Sequence, residues 1–365
     1  MKKQNPHILI SGGGTGGHVY PAIAIANEIK KQFPKAEIRF VGAEGKMEME
    51  KVPKAGYPID GLWISGFQRR LTTKNLLFPF KLLHSCWKAR GIIKKFKPDA
   101  AIGVGGYASY PTLAVASWMG IPTLIQEQNS YAGVSNKMLK GSVKKVCVAY
   151  DDMENFFPKE KIVYTGNPVR SDIWEMGNRR AEALTHFGLA NKKTILVFGG
   201  SLGAKTLNEA MANNINALKA ATDIQVIWQA GKFYEQDYMN SPTAQLKDVK
   251  MLPFIDRMDL AYAAADVVIC RAGALTISEL CLVGKAAILI PSPNVTGDHQ
   301  TKNANALVRK DAAILLKDQE GKEMINIAQD ILNNTSKKAQ LEANIRDMAR
   351  PNAAKEIVEV VKSLI

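Results

Sequence analysis

The chain is poor in cysteine, histidine and aromatic residues and has no long apolar run, and each shortage closes a class of function. Its four cysteines, Cys86, Cys147, Cys270 and Cys281, form no CxxC pair and show no zinc-type spacing. Cys147 and Cys270 lie in apolar runs, so free, buried thiols in a reducing compartment are expected rather than a disulfide framework. No window reaches the ~20 apolar residues of a membrane span. The opening MKKQNPHILISGGG has too short an apolar core for a secretion signal. The expected location is therefore the cytoplasmic side. No GxxxxGK[ST] loop and no DxD triplet is present. No acidic residue occurs between Asp60 and Asp99.

What is present is an ordinary globular composition with a strong basic balance. The 365 residues carry 48 Lys and Arg against 34 Asp and Glu, a formal charge of +14. The length suggests two domains of roughly 150–200 residues each. The charge suggests an anionic partner, whether nucleic acid, a phosphorylated small molecule or an acidic membrane surface. Composition alone does not choose among them.

Short β-branched runs alternate with amphipathic stretches. In the first half the runs predict strands at His7–Ser11, Glu37–Gly42, Ile59–Ile64, Ala100–Gly105, Thr123–Gln128 and Lys145–Ala149, with helices such as Pro21–Gln32 and Pro111–Met119 between them. The second half predicts strands at Thr194–Gly199, Gln225–Ala230, Lys250–Phe254, Val267–Cys270, Ala287–Pro291 and Ala312–Leu316. Strands that are nearly continuously apolar and separated by helices imply parallel sheets covered on both faces, an α/β class. Segments 7–29 and 194–215 both read as strand, glycine loop, helix, and segments 101–125 and 267–290 also correspond, so two similar halves are expected. Their boundary should fall within residues 166–180. A further amphipathic helix follows Pro351.

The glycine loops carry the chemistry. Ser11–His18 (SGGGTGGH) follows a strand and opens a helix, with Pro21 expected near its first turn. Such a loop lets backbone N–H groups approach an anion, aided by the helix N-terminus, although glycines also serve a tight turn with no ligand. A nucleotide-coenzyme oxidoreductase would need an acidic residue at the end of the second strand, and Glu44 arrives one or two positions late. A second loop is Phe198–Ala204. A third, Cys270–Glu279 (CRAGALTISE), would open a helix with Thr276, Ser278 and Glu279 in its first turns. A carboxylate there can accept two ribose hydroxyls, or simply compensate the helix dipole.

Eight stretches in order carry a family resemblance: 12–26 (GGGTGGHVYPAIAIA), 103–111 (GVGGYASYP), 121–129 (IPTLIQEQN), 166–170 (GNPVR), 198–204 (FGGSLGA), 254–258 (FIDRM), 265–280 (ADVVICRAGALTISEL) and 298–304 (DHQTKNA). Together the chain resembles the MurG family, the bacterial glycosyltransferases that move N-acetylglucosamine from UDP-GlcNAc to lipid I and so make lipid II for peptidoglycan. The resemblance implies two Rossmann-like doubly wound domains facing across a cleft, the GT-B fold. Residues 1–168 would bind the acceptor, 169–348 would bind UDP-GlcNAc, and 349–365 would form a helix packing back on the first domain. A related transferase with another lipid acceptor keeps the fold and changes the substrate.

Carried over position by position, Ser201 and Ile255 would meet the uracil end and Arg170 would face the nucleotide from the hinge. Ala274, Leu275, Thr276, Ile277 and Ser278 would supply the helix terminus for the diphosphate, and Glu279 would hold the ribose. Gln300 and Asn129 would hold sugar hydroxyls. Thr15, Gly16 and Gly17 would line the acceptor side. An inverting transfer needs a general base near the acceptor hydroxyl; His18 is the first candidate and Glu127 the second, with loop fixing as the alternative role for Glu127. Donors and a helix terminus are better candidates than a protein-held metal to stabilise the departing diphosphate, and no cofactor is implied. The family pattern often has His where this chain has Gln126.

The segment free of acid holds nine cations, Arg69, Arg70, Lys74, Lys81, Lys88, Arg90, Lys94, Lys95 and Lys97, interleaved with Leu76, Leu77, Phe78, Phe80, Leu82, Leu83 and Trp87. Apolar bulk beside cations suits an interfacial segment on an anionic membrane, about 1 kcal/mol per Lys or Arg; a core-facing helix with a solvated basic face is the alternative. Residues 1–100 carry 18 Lys and Arg against 7 Asp and Glu, most of the total excess. The expected partners are UDP-GlcNAc, lipid I, an anionic membrane surface at the cytoplasmic face of the inner membrane and other cell-wall synthesis proteins, and no nucleic-acid module is recognisable.

Overall fold

The computed structural model describes residues 5–66, 77–173 and 179–365. The apolar runs pair side by side rather than folding back on themselves, and every pairing among the described residues is parallel. The chain divides into two units, Met1–Val169 with Asn352–Ile365, and Arg170–Pro351.

The first unit holds β1 (His7–Ser11), β2 (Glu37–Ala43), β3 (Ile59–Leu62), β4 (Ala100–Gly103), β5 (Thr123–Glu127), β6 (Lys145–Val148) and β7 (Ile162–Tyr164), in the order β3-β2-β1-β4-β5-β6-β7. The pleat sends alternate side chains of β1 to opposite faces. Ile8 and Ile10 pack with the helix Gly16–Gln32, while Leu9 joins Val41 and Ala101 in a second layer that includes Ile93 and Val115. All three β1 side chains are fully buried, each contributing roughly 1.5–3 kcal/mol of apolar burial. The helix Ala353–Lys362 lays Ile357, Val358 and Val361 into the Ile8 and Ile10 layer beside the helix Gly16–Gln32.

The second unit holds β8 (Lys193–Phe198), β9 (Ile224–Gln229), β10 (Val249–Leu252), β11 (Val267–Cys270), β12 (Ala286–Leu289) and β13 (Ile314–Leu315), in the order β10-β9-β8-β11-β12-β13. Ile195, Val197, Val226, Trp228 and Ile269 make one inner face, covered by Met324, Ile325, Ala328 and Ile331 of the helix Met324–Asn333. Both units repeat one plan, with strand order reversing beside the first strand of each.

Several sequence expectations shift. The first helix begins at Gly16, so Pro21 lies inside it rather than near its first turn; burial of Val19 and seating of His18 carry the helix back through the glycines. The strand expected over Ile59–Ile64 stops at Leu62, and that over Ala100–Gly105 stops at Gly103, because Gly105 and Gly106 turn at φ +90°. β7 was not anticipated: its three residues are all part-buried and show no alternation. The four cysteines are free, and burial pushes the Cys147 and Cys281 thiols up to about 12, far from thiolate chemistry.

The acid-free segment splits. Arg69, Arg70, Lys74 and Leu76 lie outside the described residues. Leu77 and Lys97 cap the helix Phe78–Phe96 that holds the others, and its Ser85, Ala89 and Ile93 face the core. Phe78, Leu82 and Cys86 flank that core face, whereas Phe80, Leu83 and Trp87 are 67%, 70% and 74% exposed. The cations are not all unopposed, as the sequence suggested: β2 delivers Glu44 to Lys88, 2.9 Å apart. Lys81 sits 5.3 Å above the ring of Trp63, and Arg90 sits 5.6 Å above that of Trp118. No helix among the described residues is long and apolar enough to cross a membrane.

Ile357→Ala should destabilise the first unit by about 2–4 kcal/mol, read as lost hydrogen-exchange protection in β1, β2 and β4 while β8, β9 and β11 keep theirs.

Candidate active site

In open parallel sheets, ligands bind beyond the carboxyl ends of the strands where strand order reverses. In the first unit that place lies between β1 and β4. The loop after β1 and the loop after β4 touch there backbone to backbone. Gly13 N–H donates to Gly105 O at 3.2 Å, and a Cβ on Gly106 would fall inside the Gly13 backbone. Behind Gly13 stands Glu48, fully buried, which accepts from Gly14 N at 2.8 Å and Ala43 N at 3.0 Å. A Cβ on Gly13 would collide with that carboxylate. The glycines therefore answer two backbone contacts as well as any ligand.

His18 rides on this arrangement. Its ring lies against Gly105, where a Cβ would come within 2.8 Å of Cε1. Its Nδ1 is 3.0 Å from Gln128 Oε1. Thr15 caps the helix with its carbonyl, which accepts from His18 N and Val19 N, both at 3.1 Å, and its side chain makes no cap hydrogen bond. Gly16 and Gly17 form the first turn, and Thr15 and Gly17 are exposed.

Glu127 ends β5 almost fully buried. Its Oε1 accepts from Asn129 N at 3.0 Å and Asn129 Nδ2 at 3.2 Å, and its Oε2 accepts from Gly133 N at 2.8 Å and Asn136 Nδ2 at 2.9 Å. Both oxygens are thus engaged by the loop that carries Asn129.

In the second unit the reversal lies between β8 and β11. Ser201 is exposed on the loop after β8, and Ile255 is buried after β10. Gly273, in extended backbone, caps the helix Ala274–Val283, so the first-turn amides of Ala274, Leu275 and Thr276 point beyond the sheet. Ile277 is buried, and Ser278 Oγ donates back to Ala274 O at 3.0 Å. Gln300 accepts Ser292 N–H on Oε1 at 2.8 Å, which turns its NH2 away as a donor. Arg170 is exposed and pairs with Asp172 at 3.6 Å.

Glu279 accepts from Tyr262 OH at 2.9 Å. Burial pushes its carboxyl up to about 7, against the Tyr262 hydrogen bond and the Arg170 charge, which pull it down, while Asp172 adds to the rise. Among the described residues no cluster of His, Cys, Asp and Glu has the makings of a metal site.

Sequence reasoning missed the residues beneath those it named. Tyr262, fully buried, is the partner of Glu279. Arg271 donates to Ile290 O at 2.9 Å, Pro291 O at 3.2 Å and Asp318 Oδ1 at 2.5 Å, and to Thr206 Oγ1 at 2.5 Å. One guanidinium thereby ties together the segments that follow β8, β11, β12 and β13. Glu48, Gln128 and Asn167, together with the Gln126 that the sequence had already singled out, play the same supporting part in the first unit. An arginine inside an apolar CRAGA run is the one sequence signal that pointed to any of these, since a buried cation requires partners.

The model of the glycosyltransferase family 28 N-terminal domain matches residues 8–148, and that of the family 28 C-terminal domain matches residues 194–361. The chain is 54% identical over 98% of its length to a protein of Flavobacterium psychrophilum, 97% of which is covered, and 54% identical over its whole length to one of Cytophaga hutchinsonii, 99% of which is covered. Both are named UDP-N-acetylglucosamine–N-acetylmuramyl-(pentapeptide) pyrophosphoryl-undecaprenol N-acetylglucosamine transferase. The crystal structure of Acinetobacter baumannii MurG is similar with a TM-score of 0.77 and 32% identity, covering 98% of this chain and 99% of that one.

The raised Glu279 carboxyl has a consequence for stability. Unfolded, it loses its proton near 4.5; folded, near 7. Between these values the folded state holds the extra proton, so stability falls as pH rises through this window and levels off above it. Glu279→Gln should remove that slope, gaining on the order of 2 kcal/mol at pH 8 relative to pH 4 once the water that still reaches the carboxyl is allowed for, as measured by urea unfolding of both proteins across the range.

Proposed function

The chain belongs to glycosyltransferase family 28, in its MurG family, and from that premise we propose that it transfers N-acetylglucosamine from UDP-GlcNAc to the C4 hydroxyl of the N-acetylmuramyl-pentapeptide of lipid I. The product is lipid II, and the work is that of peptidoglycan synthesis, with cell shape and division depending on it. The observation that carries the reading is identity above half, end to end, with proteins bearing that enzyme name. Their agreement on the acceptor disfavours a transferase of another lipid.

The geometry supports distinct roles. In the second unit the amide-bearing N-terminus of the helix Ala274–Val283 meets the diphosphate, and its partial positive charge stabilises the negative charge that grows as UDP departs. Glu279 accepts the ribose hydroxyls, Ser201 and Ile255 contact the uracil end, and Arg170 adds charge beside the nucleotide. Gln300 donates its NH2 to a sugar hydroxyl, and Asn129 is a sugar-binding residue of the first unit. In the first unit the amides of Gly13 and Gly14 are already engaged by Gly105 and Glu48. Thr15, Gly16 and Gly17 therefore receive the acceptor's own diphosphate.

The acceptor hydroxyl attacks the anomeric carbon from the face opposite UDP, inverting it, and loses its proton to His18. Glu127 is the weaker base candidate because four hydrogen bonds already hold its two oxygens. It fixes the Asn129 loop instead.

Membrane attachment is peripheral, at the cytoplasmic face. Phe80, Leu83 and Trp87 share one exposed side of the helix Phe78–Phe96, opposite its buried Ser85, Ala89 and Ile93. Their side chains enter among acyl chains while Lys94, Lys95 and Lys97 meet anionic head groups. Other cell-wall synthesis proteins are partners of the attached enzyme.

Purified protein given labelled UDP-GlcNAc and a lipid I analogue should yield a labelled disaccharide lipid. His18→Ala should cut kcat by about 10²-fold or more while UDP binding holds. A folded, UDP-binding wild type that makes no product overturns the activity, and an active His18→Ala enzyme overturns the base. In co-sedimentation, binding should require anionic vesicles, weaken with salt and drop when Lys94, Lys95 and Lys97 become Gln; absent binding would return that helix to a purely structural role, and binding that ignores salt and lipid charge would remove the lysines from the contact.

A further inference from the structure

We propose that Gln128 is a positioning residue that sets the tautomer of His18, holding the imidazole proton on Nδ1 and leaving the electron pair on Nε2 for the acceptor hydroxyl. The proposal rests on the reading of His18 as the base. Gln128 follows β5 and is 1% exposed. Its NH2 donates to Val104 O at 3.0 Å and to Gln126 O at 3.1 Å. Both are backbone carbonyls, which only accept, so the nitrogen of the amide must face them and the oxygen must face the other way. What the oxygen meets is His18 Nδ1, at 3.0 Å. An amide oxygen has no hydrogen to give. The proton in that contact belongs to the imidazole, and a neutral imidazole with hydrogen on Nδ1 has none on Nε2.

A second chain of contacts assigns the same orientation from a different starting point. Asn167 Nδ2 donates to the backbone carbonyl of Gln128 at 3.0 Å, which turns Asn167 Oδ1 to accept from Gln126 Nε2 at 2.9 Å. That leaves Gln126 Oε1 facing the Gln128 NH2, whose two hydrogens it shares with the Val104 and Gln126 carbonyls. Two backbone carbonyls on one side and a closed ring of three amides on the other thus agree on where the His18 proton lies. Gly105, with no side chain, lets the ring sit close enough to reach Gln128.

The arrangement suits a single proton movement. As the acceptor oxygen bonds to the anomeric carbon and the bond from that carbon to the diphosphate breaks, Nε2 takes the hydroxyl proton. The imidazolium keeps its Nδ1–H on Gln128 throughout, so no second proton has to move. UDP leaves with the electron pair of the broken bond.

The test is the ¹⁵N spectrum of histidine-labelled protein at pH about 9, well above the ordinary imidazole range. The chain has five histidines, and the His18 signals are those missing from His18→Ala. Wild type should show a protonated Nδ1 and a bare Nε2 at His18. Gln128→Met keeps the length of the side chain and removes the acceptor. It should move His18 toward the Nε2–H form and lower kcat about tenfold or more, with KM for UDP-GlcNAc changed less than twofold. A wild-type His18 protonated on Nε2 overturns the proposal without any variant. So does a Gln128→Met protein with an unchanged His18 spectrum. A tautomer that shifts while kcat stays constant upholds the control by Gln128 and removes His18 from proton transfer, so the two readings fail separately.

Discussion

Everything in the first unit's site depends on one steric constraint: two loops meet at the end of the sheet with no side chain between them. Gly106 lies on Gly13, Gly13 lies on the carboxylate of Glu48, and Gly105 lies under the ring of His18. Gly105 and Gly106 also turn at φ +90°, where a Cβ is strained whatever the space. The contact fixes the start of the helix that carries His18 and brings that ring to Gln128. Remove the close approach and neither the histidine nor the first-turn amides keep their places.

The second unit solves the same problem with a charge. There Arg271 gathers the chain ends beyond the strands by hydrogen bonds to two carbonyls, a carboxylate and a hydroxyl. A buried guanidinium is costly unless its donors find acceptors, and Arg271 finds them on Nη1 and Nη2, at the ends of several elements at once, while its Nε stays unpaired among the described residues. In the same unit burial keeps the Glu279 carboxyl from ionising at its ordinary pH, and the hydroxyl of the buried Tyr262 holds it in place. Each unit therefore places a ligand-facing group on a polar support that faces the core.

The plan of the fold was legible because a parallel sheet writes itself as separate apolar runs: β1 and β11 lie over the residues that periodicity named. The ends of strands were less legible, since β4 stops where glycine dihedrals turn the chain, and dihedrals leave little trace in composition. The candidate site divides in the same way. Glycine loops announce themselves because glycine has few other reasons to cluster after a strand. Glu48, one acid among several in the run EGKMEME, reads like a surface residue, and only the fold shows that it is buried behind Gly13. Gln128 and Asn167 are common amides whose meaning lies in which atom faces which. The acid-free segment hides a division that composition does not show: Phe78 and Leu82 pack against the core while Phe80, Leu83 and Trp87 stay exposed, and Glu44, distant in the chain, is close to Lys88 in space.

The helix Ala353–Lys362 completes the first unit although the whole of Arg170–Pro351 precedes it in the chain. On the ribosome, the apolar layer that Ile357, Val358 and Val361 will cover is made early and stays uncovered while the intervening unit is synthesised. The first unit therefore waits, open along one layer, until after the second has had its chance to fold. Its order of maturation is the reverse of its order of synthesis, and during that interval the nascent chain shows an apolar face that invites either a chaperone or aggregation.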